Sequence, residues 1–298
     1  MTMEASSKYI TKDRTKARCL GPTMVFEEVL DYVARFAALM GERPFFTYAW
    51  INEVTHNDVN SAGYADKFFR RHLESLRSSG VLNHTLLLFY SDHGMRFGDS
   101  RASYIGKFED RQPFAFVVFP QWFLEQNPEA SRSLRVNQFR LTTPFDLHAT
   151  LVELLHYPNV DRPQTKYGRS LLHKIPEART CAEVHIGPHW CVCNVRGEFA
   201  VTDMLVRSMA DQLVSRINLL VARKTRKCAQ YKLVRVVDVT ALQVTPTERA
   251  HNSSHYWVAV QVSPGNNTFE GTVSLSGANL TALDDISHIN YALIWAGA

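Results

Sequence analysis

The chain has 298 residues, 45% of them hydrophobic and 21% charged, a balance that excludes a disordered or fibrous protein and leaves room for a sizeable core with a second small lobe. The formal net charge is only +4 and the Lys and Arg residues are scattered, with Arg70-Arg71 and Arg223-Lys224 read as solvated helix faces, so no nucleic-acid partner is expected. No stretch approaches the ~18 consecutive apolar residues of a membrane span.

Residues 1 to 20 form a polar tail with no apolar run of the signal-peptide kind. Residues 25 to 40 place Phe26, Val29, Leu30, Val33, Phe36, Ala37 and Met40 at helical spacing, which predicts an amphipathic helix. "FFTYAWI" (45 to 51), rich in aromatic and β-branched residues, predicts a strand. The polar loop after it carries Glu53, His56 and Asp58, and "YADKFFRRHLESLRSSG" then predicts a second helix stopped by Gly80. "LLLFY" (86 to 90) and "FAFVVFP" (114 to 120) predict two more strands, with the charged segment around Lys107, Glu109 and Arg111 between them read as a loop. Thr143-Pro144 sets the start of a helix over 142 to 158.

Strands alternating with helices predict an α/β layer with a parallel or mixed sheet buried on both faces. Beyond residue 195 the texture changes. A helix over 201 to 223 precedes short alternating segments, "YKLVRVVDVTALQV", "HYWVAVQVSP", "TFEGTVSLSG" and "INYALIW", which read as antiparallel strands. The expected organisation is therefore a tail (1 to 20), an α/β portion (21 to 195) and a helix plus β-rich lobe (196 to 298).

In an α/β sheet ligands bind at the carboxyl ends of strands. Asp92 and His93, in "SDHG", stand just past such an end, and carboxylate with imidazole is a ligand set for zinc, calcium or manganese. His56 follows the preceding predicted strand and is a third candidate. Lys107 or Arg111 could hold an anionic ester, because a cation stabilises charge on a transferring phosphoryl or sulfuryl group.

Of five cysteines, Cys181, Cys191, Cys193 and Cys228 crowd together while Cys19 stands apart. Zinc sites favour Cys-x-x-Cys, so the Cys-x-Cys spacing favours disulfides, with connectivity open. The glycosylation pattern Asn-x-Ser/Thr occurs at Asn83, Asn252, Asn266 and Asn279. Cysteines and acceptor sites together point to an extracellular or secretory protein.

"LLLFYSDHG", "GKFEDRQPFAFVVFP", "TTPFDLHATLVELL" and "YGRSLL", in that order, resemble the C-terminal half of the sulfatase-like branch of the alkaline phosphatase superfamily. "WINEVTHNDVN", "SDHGMRFG", "RTC" with "HWCVC", and the sequence from "INLLVARKTRKC" onward resemble more narrowly the animal family catalogued as domain of unknown function two-two-nine. The resemblance implies an alkaline-phosphatase-like sandwich of helices around a mostly parallel sheet, seen in part, and a secreted metal-dependent hydrolase of sulfate or phosphate esters. It makes Asp92, His93 and His56 metal ligands and Lys107 a substrate lysine, with a small anionic ester or glycan as substrate. His189 would be a late metal ligand or part of a structural turn, the latter favoured by its flanking cysteines; His148 is read as structural. Superfamily nucleophiles precede every segment matched here, so the chain by itself is expected to lack turnover and to have lost a leader. The alternatives are a non-catalytic extracellular binding relative of the same fold, or a truncated gene model.

Overall fold

The computed structural model describes residues 19–20, 22–52, 54–56, 59–158, 165–193, 202–224, 228–242 and 252–290. They fall into two compact units, Met1–Tyr90 with Ala115–Pro128, and Ser91–Phe114 with Glu129–Ala298.

In the first unit a short antiparallel pair, β1 (Cys19–Leu20) and β2 (Thr23–Met24), leads into α1 (Val25–Met40). The helix stops at Gly41, whose φ of 58° is accessible at little cost only without a side chain. It packs against α2 (Ala62–Ser78) through the stripe expected from its sequence: Phe26, Leu30 and Ala65 are buried with Val54, and Phe26 meets Phe68 edge to face at 5.2 Å. β3 (Leu87–Tyr90) and β4 (Ala115–Val118) form a two-stranded ladder, and α5 (Gln121–Gln126) follows.

This ladder is antiparallel, with Leu87 opposite Val118 and Tyr90 opposite Ala115, and a parallel sheet is not among the described ladders. The predicted strand over 45 to 51 lies outside any ladder, with Phe46 82% exposed. Aromatic and β-branched composition favours a pleated surface, but a strand exists only where a neighbour takes its N–H and C=O groups.

In the second unit α3 (Asp99–Ala102) and α4 (Tyr104–Arg111) occupy the segment expected to be a charged loop. The Ser103 hydroxyl accepts the Gly106 N–H at 3.0 Å and starts α4. α6 (Pro128–Asn137) and α7 (Pro144–His156) come next, then α8 (Asp203–Lys224) and a four-stranded antiparallel meander of β5 (Lys232–Ala241), β6 (Ser253–Ser263), β7 (Asn267–Ser276) and β8 (Asn279–His288). β8 is absent from the sequence expectation, although its Leu280, Ala282 and Ile286 join the core under α8, whereas most of "INYALIW" lies outside the described residues. Asp284 and Asp285 suit its place at the sheet edge, where charge discourages further pairing.

The meander is covered on both faces, which explains the nearly unbroken apolar run of β6. Met209, Leu213 and Ile217 of α8 pack on Val258, Val260 and Val273. Each such side chain removed from water contributes roughly 1.5–3 kcal/mol. The alternate residues Trp257, Glu270 and Thr272 are also buried, and they face a different environment.

α7 begins as its sequence requires. The Asp146 carboxylate accepts the Thr143 N–H at 2.7 Å, Pro144 occupies the first turn, and Arg179 donates to both Asp146 oxygens at 2.8 and 3.0 Å. The "YGRSLL" segment docks on this end: the Arg169 N–H reaches Asp146 Oδ1 at 2.7 Å, and the Leu171 N–H reaches Thr150 Oγ1 at 2.8 Å. His148 is exposed on α7.

Candidate metal centre

Residues 91 to 94 follow β3 directly, and hydrogen bonds hold their shape. The Ser91 N–H donates to Phe114 O at 3.0 Å and the Ser91 hydroxyl to His93 O at 2.8 Å. Asp92 Oδ1 accepts the His93 N–H at 2.9 Å, which points the carboxylate back along the loop. Its other oxygen, Oδ2, lies 3.2 Å from His93 Nε2.

The remaining ring nitrogen determines what that approach means. His93 Nδ1 is 2.7 Å from the Gly94 carbonyl oxygen. A carbonyl only accepts, so Nδ1 carries the hydrogen, and in the neutral ring Nε2 presents a lone pair to a carboxylate oxygen. Two acceptors at that distance call for a positive centre, either a second proton on the ring or a metal ion. The separation also suits an ion: tetrahedral bonds of about 2.0–2.2 Å place neighbouring ligand atoms roughly 3.3 Å apart. A backbone carbonyl on the far nitrogen is the usual device that orients a metal-binding imidazole. The spacing fits either a protonated His93 paired with Asp92 or a divalent cation held by Asp92 Oδ2 and His93 Nε2.

Gly94 seats this loop. Its N–H donates to Asp110 O at 3.1 Å, and a Cβ added there would stand 2.1 Å from Glu109 O. No side chain fits between the loop and the last turn of α4, which is why residue 94 has none.

Lys107 and Arg111 point the other way along α4, into a buried charge cluster on the face of the meander opposite α8. Lys107, 1% exposed, brings Nζ within 2.7 Å of Asp238 Oδ2 and 3.4 Å of Glu270 Oε2. Arg101 donates to Asp110 Oδ2 and to Glu270 Oε1, each at 2.9 Å, and Arg111 donates to Glu270 Oε1 at 2.8 Å. Three cations thus face Asp110, Asp238 and Glu270, so the cluster is neutral in sum. Burial alone would raise the Glu270 pKa; the hydrogen bond and charge of Arg101, then the charges of Lys107 and Arg111, outweigh it and hold the carboxyl down to about 2. The expected substrate lysine is built into this network, its charge taken up by two carboxylates.

His189 closes the cluster. Nε2 lies 3.3 Å from Arg111 Nη2 and 3.0 Å from Ser287 Oγ, and Nδ1 lies 3.1 Å from Thr272 Oγ1. Arginine only donates, so Nε2 accepts and Nδ1 carries the hydrogen. Burial first, and then the Arg111 charge, push its pKa down to about 3, so the ring is neutral and both nitrogens are engaged. That arrangement accords with the reading of the "GPHWCVC" segment as structural.

His56 is exposed and belongs to the first unit, while Asp92, His93 and Lys107 belong to the second. Glu53 and Asp58 lie outside the described residues. Cys181 and Cys191 form a disulfide, and Cys193 and Cys228 are exposed thiols. Asn83, Asn252, Asn266 and Asn279 are all exposed. Sequence reasoning missed Arg101, Asp238 and Glu270; an acid on the same face as Thr272 in "TFEGTV", inside an otherwise apolar sheet, was the available signal of a buried partner.

These features define a mixed α/β protein in which a four-stranded antiparallel sheet and a helical segment enclose a charge cluster beside an Asp-His loop. The chain belongs to the family described as Protein of unknown function (DUF229), whose model matches residues 1–237. No curated protein and no solved structure matches it. No helix among the described residues is long and apolar enough to cross a membrane.

Proposed function

We propose that this chain carries the cation-binding part of a metal-dependent hydrolase of sulfate or phosphate esters, of the sulfatase-like branch of the alkaline phosphatase superfamily, working outside the cell. The observation that carries the reading is the Asp92–His93 pair, with Asp92 Oδ2 3.2 Å from His93 Nε2 and the other ring nitrogen 2.7 Å from the Gly94 carbonyl oxygen. Asp92 Oδ2 and His93 Nε2 would hold a zinc, calcium or manganese ion. A divalent cation supplies Lewis-acid stabilisation of charge developing on the ester. The chain's own part is to fix the tautomer of His93 through the Gly94 carbonyl and to hold the loop against α4. We assign the nucleophile to no residue of this chain. The Cys181–Cys191 disulfide and four exposed glycosylation acceptors support the extracellular setting.

Metal titration of the purified chain tests the reading. Zinc, calcium or manganese should bind, and Asp92→Ala and His93→Ala should each lower the affinity at least about tenfold, which is about 1.4 kcal/mol. Affinities equal to wild type in both variants would refute it.

The placement of Lys107 favours a second reading, a non-catalytic extracellular relative that keeps the fold and the cation, because the buried ammonium is paired with Asp238 and Glu270. Metal binding without turnover of a phosphodiester or a sulfate ester would select it; turnover abolished by Asp92→Ala would select the hydrolase.

A further inference from the structure

We propose that Glu270, on the C-terminal meander, is a positioning residue for the Asp92–His93 loop and acts on it through Arg101, Arg111 and the last turn of α4. The inference rests on the cation reading of that loop and extends it to residues far along the chain.

The connection is continuous in hydrogen bonds. Glu270 Oε1 accepts from Arg101 Nη2 at 2.9 Å and from Arg111 Nη2 at 2.8 Å. Arg111 Nη1 donates to the Lys107 carbonyl at 2.6 Å, and Arg101 Nε donates to Asp110 Oδ2 at 2.9 Å, so both guanidiniums are bonded to α4, Arg101 at its last turn. The backbone of that same turn receives the loop, with the Gly94 N–H on Asp110 O and no room for a Cβ at Gly94 beside Glu109 O. The Gly94 carbonyl then orients the His93 ring. Asp110 takes part twice, its carboxylate facing the charge cluster and its carbonyl facing the loop.

A buried ion cluster is a poor device for stability alone, since apolar residues of similar volume are often as good or better. What charged forks provide is fixed geometry. Here the geometry is spent on the one turn of α4 that seats Gly94, whose carbonyl is the group bonded to the His93 ring, and partners bonded directly to a metal ligand typically change affinity by about 10–100-fold when removed.

The test uses the full chain with cobalt as the probe, reading both affinity and the visible spectrum of the bound ion. Glu270→Gln, shown to be folded by circular dichroism, should bind cobalt at least about tenfold more weakly and with shifted bands, because the ligands are displaced rather than removed. A folded variant with unchanged affinity and spectrum would overturn the inference. Should Glu270→Gln fail to fold, Asp110→Asn decides, since it keeps every Glu270 ion pair and alters only the link to α4; the same weakening and band shift are expected, and wild-type behaviour overturns the inference. If the wild-type chain binds no cobalt, the cation reading fails. Amide hydrogen exchange then judges the positioning separately: the Gly94 amide should exchange about tenfold faster in Asp110→Asn, a rise expected if the carboxylate link fixes its acceptor, and an unchanged rate overturns it.

Discussion

Replacing His189 by glutamine should flatten the pH dependence of stability between about pH 6.5 and pH 4.5. In the folded chain the ring takes a proton only near pH 3, whereas the ordinary value is 6.5. Between these values the unfolded chain binds a proton that the folded chain refuses, so stability falls as the pH falls, by about 1.4 kcal/mol per pH unit. At pH 4.5 the loss assignable to His189 is roughly 3 kcal/mol, and it approaches roughly 5 kcal/mol below pH 3. Against a total of about 5–15 kcal/mol these are large fractions. The groups that face the ring are Arg111, Arg101, Lys107 and Glu270, together with the Thr272 and Ser287 hydroxyls. Glu270 adds a loss of the same sign only below about pH 4.5, its ordinary value, because its folded pKa is about 2. The upper window therefore belongs to histidines. His72 and His288 are also lowered by burial, and they keep their contribution in the variant. Urea unfolding followed by circular dichroism at about pH 7, 6, 5 and 4.5 gives the two slopes. Equal slopes for wild type and His189→Gln would refute the reasoning, whatever the variant costs at neutral pH.

Three further outcomes are expected. Asp146→Ala, which removes the partner of Arg179 and the acceptor of the Thr143 and Arg169 N–H groups, should cost about 3–5 kcal/mol in urea melts; a loss below about 1 kcal/mol would contradict the anchoring role. The Cys181, Cys191 and Cys193 sulfurs all lie within 4.8 Å of one another, so Cys191→Ser should yield a Cys181–Cys193 bond in non-reducing peptide maps, while the double variant lacking both should lose about 3 kcal/mol. Gly94→Ala should lower metal affinity at least about tenfold with the fold intact, since its methyl would collide with Glu109 O; isothermal titration reads the effect, and wild-type affinity would show that the loop does not need its close approach to α4.

Much of the architecture is legible in local pattern. α1, α2, α7 and α8 follow from apolar spacing and, for α7, from Thr143-Pro144 and Asp146, because a helix satisfies its own backbone within a few residues. β3, β4 and three strands of the meander follow from apolar or alternating runs. α4 was not legible: the segment around Lys107, Glu109 and Arg111 read as a loop, and only the pairing of Lys107 and Arg111 with Asp238 and Glu270 makes their burial on a short helix reasonable. The segment over 45 to 51 shows the converse, strand composition without a ladder.

The candidate site divides along the same line. Asp92, His93 and Gly94 are adjacent in sequence, so their chemistry and their place after a strand could be read directly, and the hydrogen bonds among them span one or two residues. Family membership likewise lay in the ordered motifs. Tertiary structure alone decided the antiparallel pairing of β3 with β4, since strand direction is not written in a strand's own residues. It also decided the fate of Lys107, Arg111 and His189. Their side-chain partners stand 78 to 163 residues away along the chain, and no local spacing encodes a charge pair that forms only when a C-terminal sheet closes over α4 and takes the water away.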